Sequence, residues 1–270
     1  MIDPEKIRSM LLESLEEAGK ILKETISERR VIAQKEELSL VTESDKKSEA
    51  LIVQKILRHF PDHAILTEES PARGRSPYRW IIDPIDGTTN FAHTYPIACI
   101  SIAFEDHGVI TLGGVYDPFR GELFFAQRGS GATLNDQPMV VSNNPTLSRS
   151  LLSTGFPYDR RQHADEYLSI FKAFMFQVQG IRRTGAAALD LAYVACGRFD
   201  GFWELKLRTW DVAAASLIVE EAGGKLSDFS GKPLNLSDPK TDWVPQVAAS
   251  NGFIHEEMVK TLKPFISMGR

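Results

Sequence analysis

Residues 80–91 read WIIDPIDGTTNF, an apolar run that leads into two acidic residues with a proline between them. The apolar run is followed by Asp83 and Pro84, and Asp86 lies two residues after the proline. Because proline lacks a backbone N–H and fixes its own φ, a strand cannot pass through it as an ordinary ladder. We therefore predict a bend that turns both carboxylates toward one point and frees the carbonyl oxygen of Ile85.

The two carboxylates indicate a metal site. Carboxylates this close in apolar surroundings repel one another, and ionised groups without partners are costly to bury. A divalent cation keeps them charged, and oxygen-only ligands suit a hard ion such as Mg²⁺. The next residues, Gly87, Thr88 and Thr89, offer successive backbone N–H groups where a helix could start, which favours phosphate binding. The alternative is an Asx-type turn with a helix N-cap.

Length, composition and charge bound the class of protein. The chain has 270 residues, 43% of them hydrophobic, and so can bury a sizeable core. We predict one domain over residues 1–270, with two lobes at approximately 1–145 and 146–270 that share one active site. The net charge of −5 and the lack of a Lys/Arg-rich block argue against direct nucleic-acid binding. Without a signal-peptide pattern or a stretch of membrane-spanning length, we expect a cytoplasmic protein and no membrane partner.

The secondary-structure pattern favours α/β layers or an α+β fold over a purely parallel sheet. A turn at Asp106-His107-Gly108 indicates an antiparallel hairpin in the first half, and residues 29–45 are polar, typical of a mobile connection or a short hairpin. Helices are predicted near 4–22, 44–59, 164–176, 184–196 and 212–222. Strands are predicted near 64–67, 80–83, 97–104, 109–116, 122–126, 131–134, 150–154, 199–205 and 247–250.

Three more acids lie at the ends of predicted elements. Glu68 ends a strand, and Asp211 precedes a helix that closes at Gly223 and Gly224. From the residues alone, a solvated loop start explains Glu68 and an ordinary N-cap explains Asp211. Glu204, seven residues before Asp211, is open to the reading of a strand-edge surface acid.

Four segments, taken in order, resemble the inositol monophosphatase family. Residues 80–91 resemble its first signature, and WDVAA at 210–214 with EAGG at 221–224 resembles its second. LVTESD at 40–45 and TEES at 67–70 match as well. The resemblance covers nearly the whole chain and implies an αβαβα layered sandwich with mixed and antiparallel sheets, the sugar-phosphatase fold. It also implies Mg²⁺-dependent phosphomonoester hydrolysis, sensitivity to Li⁺ and a homodimer.

The resemblance assigns metal ligands to positions of this chain. It implies that Glu68, Asp83 and the carbonyl of Ile85 hold one Mg²⁺ ion. Asp83, Asp86 and Asp211 would hold a second ion, and a third would use Glu68 and mostly water. Two or three ions could then clamp the phosphate and activate the attacking water.

Catalytic and substrate-binding residues follow from the same resemblance. Thr88, hydrogen-bonded to Asp45, would orient the attacking water and help to deprotonate it, with Glu68 as a further catalytic residue. The N–H groups of Gly87 and Thr88 would hold the phosphate. The substrate would contact the following residues: Asp86, Gly185, Ala186, Ala187, Glu204 and Asp211.

Two features depart from the pattern of the family. Lys35 is the candidate for a loop lysine of the family, but its spacing to Asp45 is one residue short. The segment GFPYDRR at 155–161 looks more like prokaryotic members and could reach the substrate. Four arginines could meet a phosphate, a dimer partner or only solvent: Arg160, Arg161, Arg182 and Arg183.

The leading functional prediction is an inositol-1-monophosphatase, or a related enzyme that acts on a small phosphorylated polyol or sugar. Fructose-1,6-bisphosphatase is an alternative on the same scaffold and needs a second basic site. A nucleotide 3′-phosphatase, which needs an adenine pocket, and a histidinol phosphatase are further alternatives. An alternative of another class is a regulatory partner of the transcription machinery.

Overall fold

The computed structural model describes residues 3–27, 32–34, 40–237 and 241–268. The helices in these ranges are α1 (Pro4–Thr25), α2 (Glu43–His59), α3 (Thr88–Ala92), α4 (Arg160–Met175), α5 (Ala187–Ala195), α6 (Thr209–Glu221) and α7 (His255–Leu262). The strands are β1 (Ile32–Gln34), β2 (Leu40–Thr42), β3 (Ala64–Thr67), β4 (Tyr78–Asp86), β5 (Cys99–Asp106), β6 (Val109–Asp117), β7 (Glu122–Gln127), β8 (Ala132–Leu134), β9 (Gln137–Met139), β10 (Leu151–Thr154), β11 (Gly180–Arg182), β12 (Gly201–Arg208), β13 (Lys225–Ser227) and β14 (Trp243–Ser250).

Two sheets carry the architecture. The larger has the strand order β3-β4-β5-β6-β7-β8-β9, with β3 parallel to β4 and the other pairs antiparallel. The smaller has the order β11-β10-β12-β14-β13, and β10 lies parallel to both β11 and β12. Strands β1 and β2 form a short antiparallel pair of their own. Mixed pairing in both large sheets confirms the predicted fold class.

Three hydrophobic clusters pack five layers of helices and sheets together. One joins α1 and α2 to the outer face of the larger sheet, with Leu11, Leu15 and Ile52 fully buried. The second surrounds α5 and α6 between the two sheets. The third packs α4 and α7 on the far face of the smaller sheet, around Phe174 and Trp203. The resulting order of helix, sheet, helix, sheet and helix is the αβαβα sandwich that the resemblance implied.

Consecutive glycines in β6 let helices approach the larger sheet closely from both sides. A Cβ on Gly113 would lie 2.5 Å from the carbonyl oxygen of Ala214 in α6. A Cβ on Gly114 would lie 2.5 Å from Cδ1 of Leu15 in α1. Successive strand residues face opposite sides of a sheet. Gly113 therefore lets α6 approach one face, and Gly114 lets α1 approach the other.

The structure corrects several predicted boundaries. The helix predicted from residue 184 begins at Ala187, because Gly185 has a φ of 91° and Ala186 is extended. The helix predicted after Asp211 begins earlier, at Thr209, so Asp211 is its third residue rather than its N-cap. Strands β9, β11 and β13 and helix α7 were not predicted. Within the described ranges, no helix combines the length and the apolar character that a membrane crossing demands.

Candidate active site

Predicted site residues from both halves of the chain line one cavity of about 620 Å³. They are Glu68, Asp83, Ile85, Asp86, Gly87, Thr88, Gly185, Ala186, Ala187, Glu204 and Asp211. Asp45 is fully buried and contacts Thr88. Lys35 lies outside the described residues.

A bend in β4 positions Asp83 and Asp86, the acids on either side of Pro84. The register between β4 and β5 shifts between Asp83 and Asp86, as the proline predicts, and both carboxylates are buried. Asp83 accepts a hydrogen bond from the N–H of Ile85 at 3.0 Å. Gly87 follows with a φ of 93°, and a Cβ there would lie 2.8 Å from the carbonyl oxygen of Ile97. Glycine is therefore required at the turn.

The start of α5 holds the carboxylate of Asp86. The N–H of Ala187 donates to one of its oxygens at 3.2 Å, and the N–H of Ala188 donates to the other at 2.7 Å. Burial raises the pKa of Asp86 to about 6, and the two N–H groups oppose that rise. A segment of the second half of the chain thus orients an acid of the first half, a contact without any local signal in the sequence.

Four carboxylates repel one another across the cavity. Burial raises the pKa of Asp83 well above its ordinary value, and the charges of Glu68 and then Asp86 raise it further. Burial and Asp86 likewise raise the pKa of Asp211, while the N–H of Arg208, 2.7 Å from its carboxylate, lowers it. Positive charge would relieve this repulsion, and carboxylate oxygens are the ligands that hard divalent ions prefer.

The carboxylates are turned toward backbone N–H groups. In the ranges that the structure covers, no three acidic, histidine or cysteine side chains already converge as a metal centre does. Asp83, Asp86 and Asp211 each accept a backbone hydrogen bond. An ionised carboxylate has about four lone-pair sites, so each retains acceptor capacity for an ion. The donor set therefore fits a hard divalent cation.

Thr88 and Asp45 form the pair that the resemblance implied. The Thr88 hydroxyl lies 3.0 Å from Oδ1 of Asp45 and 2.9 Å from the carbonyl oxygen of Ile85. A hydroxyl carries one proton, so it donates to one of these acceptors at a time. The second oxygen of Asp45 accepts from the N–H of Thr42 at 2.7 Å and from the Thr42 hydroxyl. These bonds cap α2 and hold Asp45 against Thr88.

Alternate residues of β12 present charged side chains to the cavity. Glu204, Lys206 and Arg208 line it together with the buried Leu207, while Leu205 is buried away from it. Burial raises the pKa of Glu204 to about 8, and the charge of Arg183 opposes that rise. Of these three charged residues, only Glu204 was predicted from the sequence. The signal for the two cations was the strict alternation of ELKLR at 204–208.

Lys206 has an unusual backbone. Of the five non-glycine residues with positive φ in the described chain, four lie in turns, and Lys206, with a φ of 58°, lies inside a strand. Such a conformation costs about 1–3 kcal/mol. The Lys206 ammonium pairs with Asp159 and lies 5.9 Å from the centre of the Tyr167 ring.

Other residues on the cavity were not selected from the sequence. Asp190 is buried and accepts a hydrogen bond from the Thr184 hydroxyl at 2.5 Å, and burial raises its pKa well above the ordinary value. No local pattern marked it. Of the four arginines left open, Arg160 and Arg183 line the cavity.

The cavity combines a bent strand that carries paired acids, a hydroxyl–carboxylate pair beside it and a wall of charged side chains. These are the features of a hydrolase-type site in an αβαβα sandwich. The model of the inositol monophosphatase family matches residues 3–266, and the chain belongs to that family.

Named relatives fall into two groups. The chain is 48% identical over 225 residues to a protein of Synechocystis named inositol-1-monophosphatase, covering 83% of this chain and 76% of the relative. It is 44% identical over 266 residues to the Nus factor SuhB of Pseudomonas aeruginosa, covering 96% of each. Among solved structures, inositol monophosphatase from Anabaena is 42% identical with a TM-score of 0.85 and covers 96% of each chain.

Proposed function

We propose that the protein is a Mg²⁺-dependent phosphomonoester hydrolase whose preferred substrate is inositol 1-phosphate. The observation that carries the proposal is that four acids line one cavity beside the Thr88–Asp45 pair. The acids are Glu68, Asp83, Asp86 and Asp211. Family membership supports phosphatase activity. A relative named inositol-1-monophosphatase supports the choice of substrate.

The ion would be held by the four acids and the carbonyl oxygen of Ile85. The donor set supports this assignment because it is made of oxygens and its carboxylates need a counter-charge. When bound, Mg²⁺ neutralises phosphate charge and makes water more acidic. We propose two or three ions per site, the number that the family resemblance implies.

The chain's own groups orient the reactants. We propose that the Thr88 hydroxyl donates its proton to Asp45, so that its oxygen can accept a hydrogen bond from the attacking water. Transfer of the water proton toward this pair would let the water oxygen bond to phosphorus as the ester P–O bond breaks, and the released alkoxide would take up a proton. The N–H groups of Gly87 and Thr88 would hold phosphate oxygens as negative charge builds up. Glu204 would hydrogen-bond a substrate hydroxyl.

Two alternatives have support of their own. Arg160 and Arg183 line the cavity, which favours a substrate with a second phosphate, such as fructose 1,6-bisphosphate. Relatives named Nus factor SuhB favour a regulatory role in the transcription machinery, with or without hydrolysis. The homodimer stays a prediction, and sedimentation velocity would test it.

Phosphate release from a substrate panel tests the proposal. The panel is inositol 1-phosphate, fructose 1,6-bisphosphate, 3′-phosphoadenosine 5′-phosphate and histidinol phosphate, each with Mg²⁺, with EDTA and with added Li⁺. We expect the highest kcat/KM for inositol 1-phosphate, no release with EDTA, and inhibition by Li⁺. Asp86→Asn should abolish hydrolysis and leave any binding to transcription proteins intact. Wild-type hydrolysis by this variant would refute the assigned metal site.

A further inference from the structure

Glu49 in α2 accepts three hydrogen bonds from the segment that carries Glu68. Its Oε2 accepts from the Thr67 hydroxyl at 2.6 Å and from the N–H of Glu69 at 2.9 Å. Its Oε1 accepts from the Ser70 hydroxyl. The three donors lie on both sides of Glu68, so the carboxylate of Glu49 fixes the chain before and after that residue.

The pairing of β3 with β4 ends just before Glu68. Thr67 is the last residue of β3, and its partner in β4 is Ile82. The next residue along each strand is a proposed metal ligand, Glu68 in one chain segment and Asp83 in the other. Because the paired register stops at Thr67, contacts from outside the sheet are needed to place Glu68 relative to Asp83.

Glu49 itself does not reach the substrate. Its side chain is buried, with 5% exposed, and it does not line the cavity, whereas Glu68 does. A direct bond from Glu49 to a bound ion or to the substrate is therefore not part of its role. Any effect of Glu49 on the site has to pass through the segment that it holds.

Two neighbours of Glu49 on the same face of α2 contact other parts of the site. Asp45 is bonded to the Thr88 hydroxyl, and the Ser48 hydroxyl donates to the carbonyl oxygen of Pro84 at 3.0 Å. Residues three and four positions apart lie side by side on a helix, so Asp45, Ser48 and Glu49 form one row. The row ties α2 to both segments that carry the metal ligands of the first half of the chain.

We propose that Glu49 is a positioning residue that places Glu68 in the metal site. The inference rests on the proposed Mg²⁺-dependent function and adds to it a residue that touches neither ion nor substrate. Groups that hydrogen-bond around a metal ligand orient it, and their loss typically lowers metal affinity. Glu49 is therefore expected to act on the affinity for Mg²⁺ rather than on the chemical step.

Calorimetric titration with Mg²⁺ measures this role without turnover. Glu68→Gln identifies the Glu68-dependent ion, as the ion whose Kd it raises. Glu49→Met removes all three acceptor contacts and should raise the Kd of the same ion by about tenfold. Glu49→Gln should stay within about threefold of the wild type, because its amide oxygen still accepts and its NH₂ group can donate to the Ser70 hydroxyl.

A double-mutant cycle separates positioning from general damage to the fold. In the Glu68→Gln background, Glu49→Met should leave the remaining Mg²⁺ affinity unchanged, because the ligand that it places is already lost. In the absence of metal it should lower the Tm by the same amount in both backgrounds. A purely structural role would instead weaken Mg²⁺ binding equally in both backgrounds, and that result overturns the inference.

Glu221→Met is the matched control. Glu221 also joins a helix to a loop, because it accepts from the N–H groups of Gly129 and Gly131, each at 2.8 Å, and it does not line the cavity. Its variant should lower the Tm and keep the wild-type Kd for Mg²⁺. Phosphate release gives a second readout, in which Glu49→Met should need about tenfold more Mg²⁺ for its half-maximal rate.

Equal Mg²⁺ affinity of Glu49→Met and the wild type overturns the inference and leaves the proposed function intact. A Glu49→Gln variant as weak as Glu49→Met also overturns it, since charge rather than position would then carry the effect. If the wild type binds no Mg²⁺, the proposed metal-dependent function fails, and the inference fails with it.

Thr67→Val keeps the test decisive if Glu49→Met does not fold. It removes one of the three donors to Glu49 and keeps the shape of the side chain. We expect it to raise the Kd of the Glu68-dependent ion by about threefold, the effect of losing one hydrogen bond. An unchanged Kd in this variant overturns the inference in the same way.

Discussion

The hydroxyl oxygen of Thr88 lies 3.0 Å from Oδ1 of Asp45, although 43 residues separate them in the chain. Thr88 follows the bend of β4, and Asp45 lies in the first turn of α2, so the contact joins two elements packed on one edge of the cavity. Both groups are buried, which keeps competing water away from the hydrogen bond. The hydroxyl has two fixed acceptors for its proton, Asp45 and the carbonyl oxygen of Ile85, and the bond to Asp45 is the one that a role in activating water requires.

Removal of the Thr88 hydroxyl should therefore abolish most hydrolysis. Thr88→Val keeps the shape of the side chain but removes the proton relay, and we expect kcat to fall by about 100-fold or more. Thr88→Ser keeps the hydroxyl and should stay within about tenfold of the wild type. Steady-state phosphate release measures both, and circular dichroism checks that they fold. A wild-type kcat for the valine variant would contradict the proposed role.

The charge of Asp83 should lower the Tm of the metal-free protein, although hydrolysis requires this residue. Its carboxylate is 1% exposed and is repelled by Glu68, Asp86 and Asp211. Asp83→Asn removes one charge and keeps the oxygen that accepts from Ile85. Without metal, we expect its Tm to rise by about 2–4 °C, which corresponds to roughly 1 kcal/mol for a chain of this size.

Added Mg²⁺ should remove the Tm advantage of Asp83→Asn over the wild type. It should raise the Tm of the wild type, because an ion that binds only the folded state stabilises that state. It should raise the Tm of Asp83→Asn less, and hydrolysis by this variant should be lost. Asp165→Asn, a change on the exposed face of α4, serves as the control and should match the wild type in both measurements. An unchanged Mg²⁺ response in Asp83→Asn would remove Asp83 from the metal site.

His63 should make the fold less stable in mild acid. The indole N–H of Trp80 donates to Nδ1 of His63 at 3.0 Å, which requires an unprotonated nitrogen. Burial lowers the pKa of His63 from its ordinary value of 6.5, an effect that the charge of Asp62 partly offsets. The unfolded chain thus takes up this proton first, so the free energy of unfolding should fall as the pH drops below about 6.5.

Urea unfolding between pH 7.5 and 5 tests the role of His63. His63→Asn keeps an acceptor for Trp80 but cannot take up a proton, so its free energy of unfolding should depend less on pH. His59→Asn, at an exposed position at the end of α2, should retain the wild-type slope. Equal slopes for the His63 variant and the wild type would show that His63 does not carry the effect.

Local sequence signals predicted the elements that carry the acids. The proline at position 84 predicted the bend in β4, helical spacing of apolar residues predicted α1 and α2, and the pair Gly223-Gly224 predicted the end of α6. Strands β9, β11 and β13 have three residues each, too few to show a period of two. Their place in a sheet depends on neighbours far away in the chain.

The parts of the site that were missed depend on tertiary contacts. The hydrogen bond from the Ala188 N–H to Asp86 joins residues 102 positions apart, and no local sequence motif predicts it. Lys206 had a visible signal in the alternating charges of β12, but its positive φ becomes apparent only in the folded strand. Asp190 lies in an Ala-rich helix, where an acid ordinarily indicates an exposed face, whereas here it is buried beside Thr184.

The contact between β6 and α6 should tolerate no side chain at Gly113. A Cβ there would lie 2.5 Å from the carbonyl oxygen of Ala214, a backbone atom that cannot move without displacing α6 and, with it, Asp211. Gly113→Ala should therefore destabilise the fold by about 1–3 kcal/mol and lower kcat as well. Gly180→Ala is the matched control, because the nearest atom to its added Cβ is the flexible end of Arg182 at 3.3 Å. Thermal unfolding and phosphate release measure both variants, and equal Tm values for the two would show that α6 does not need this close approach.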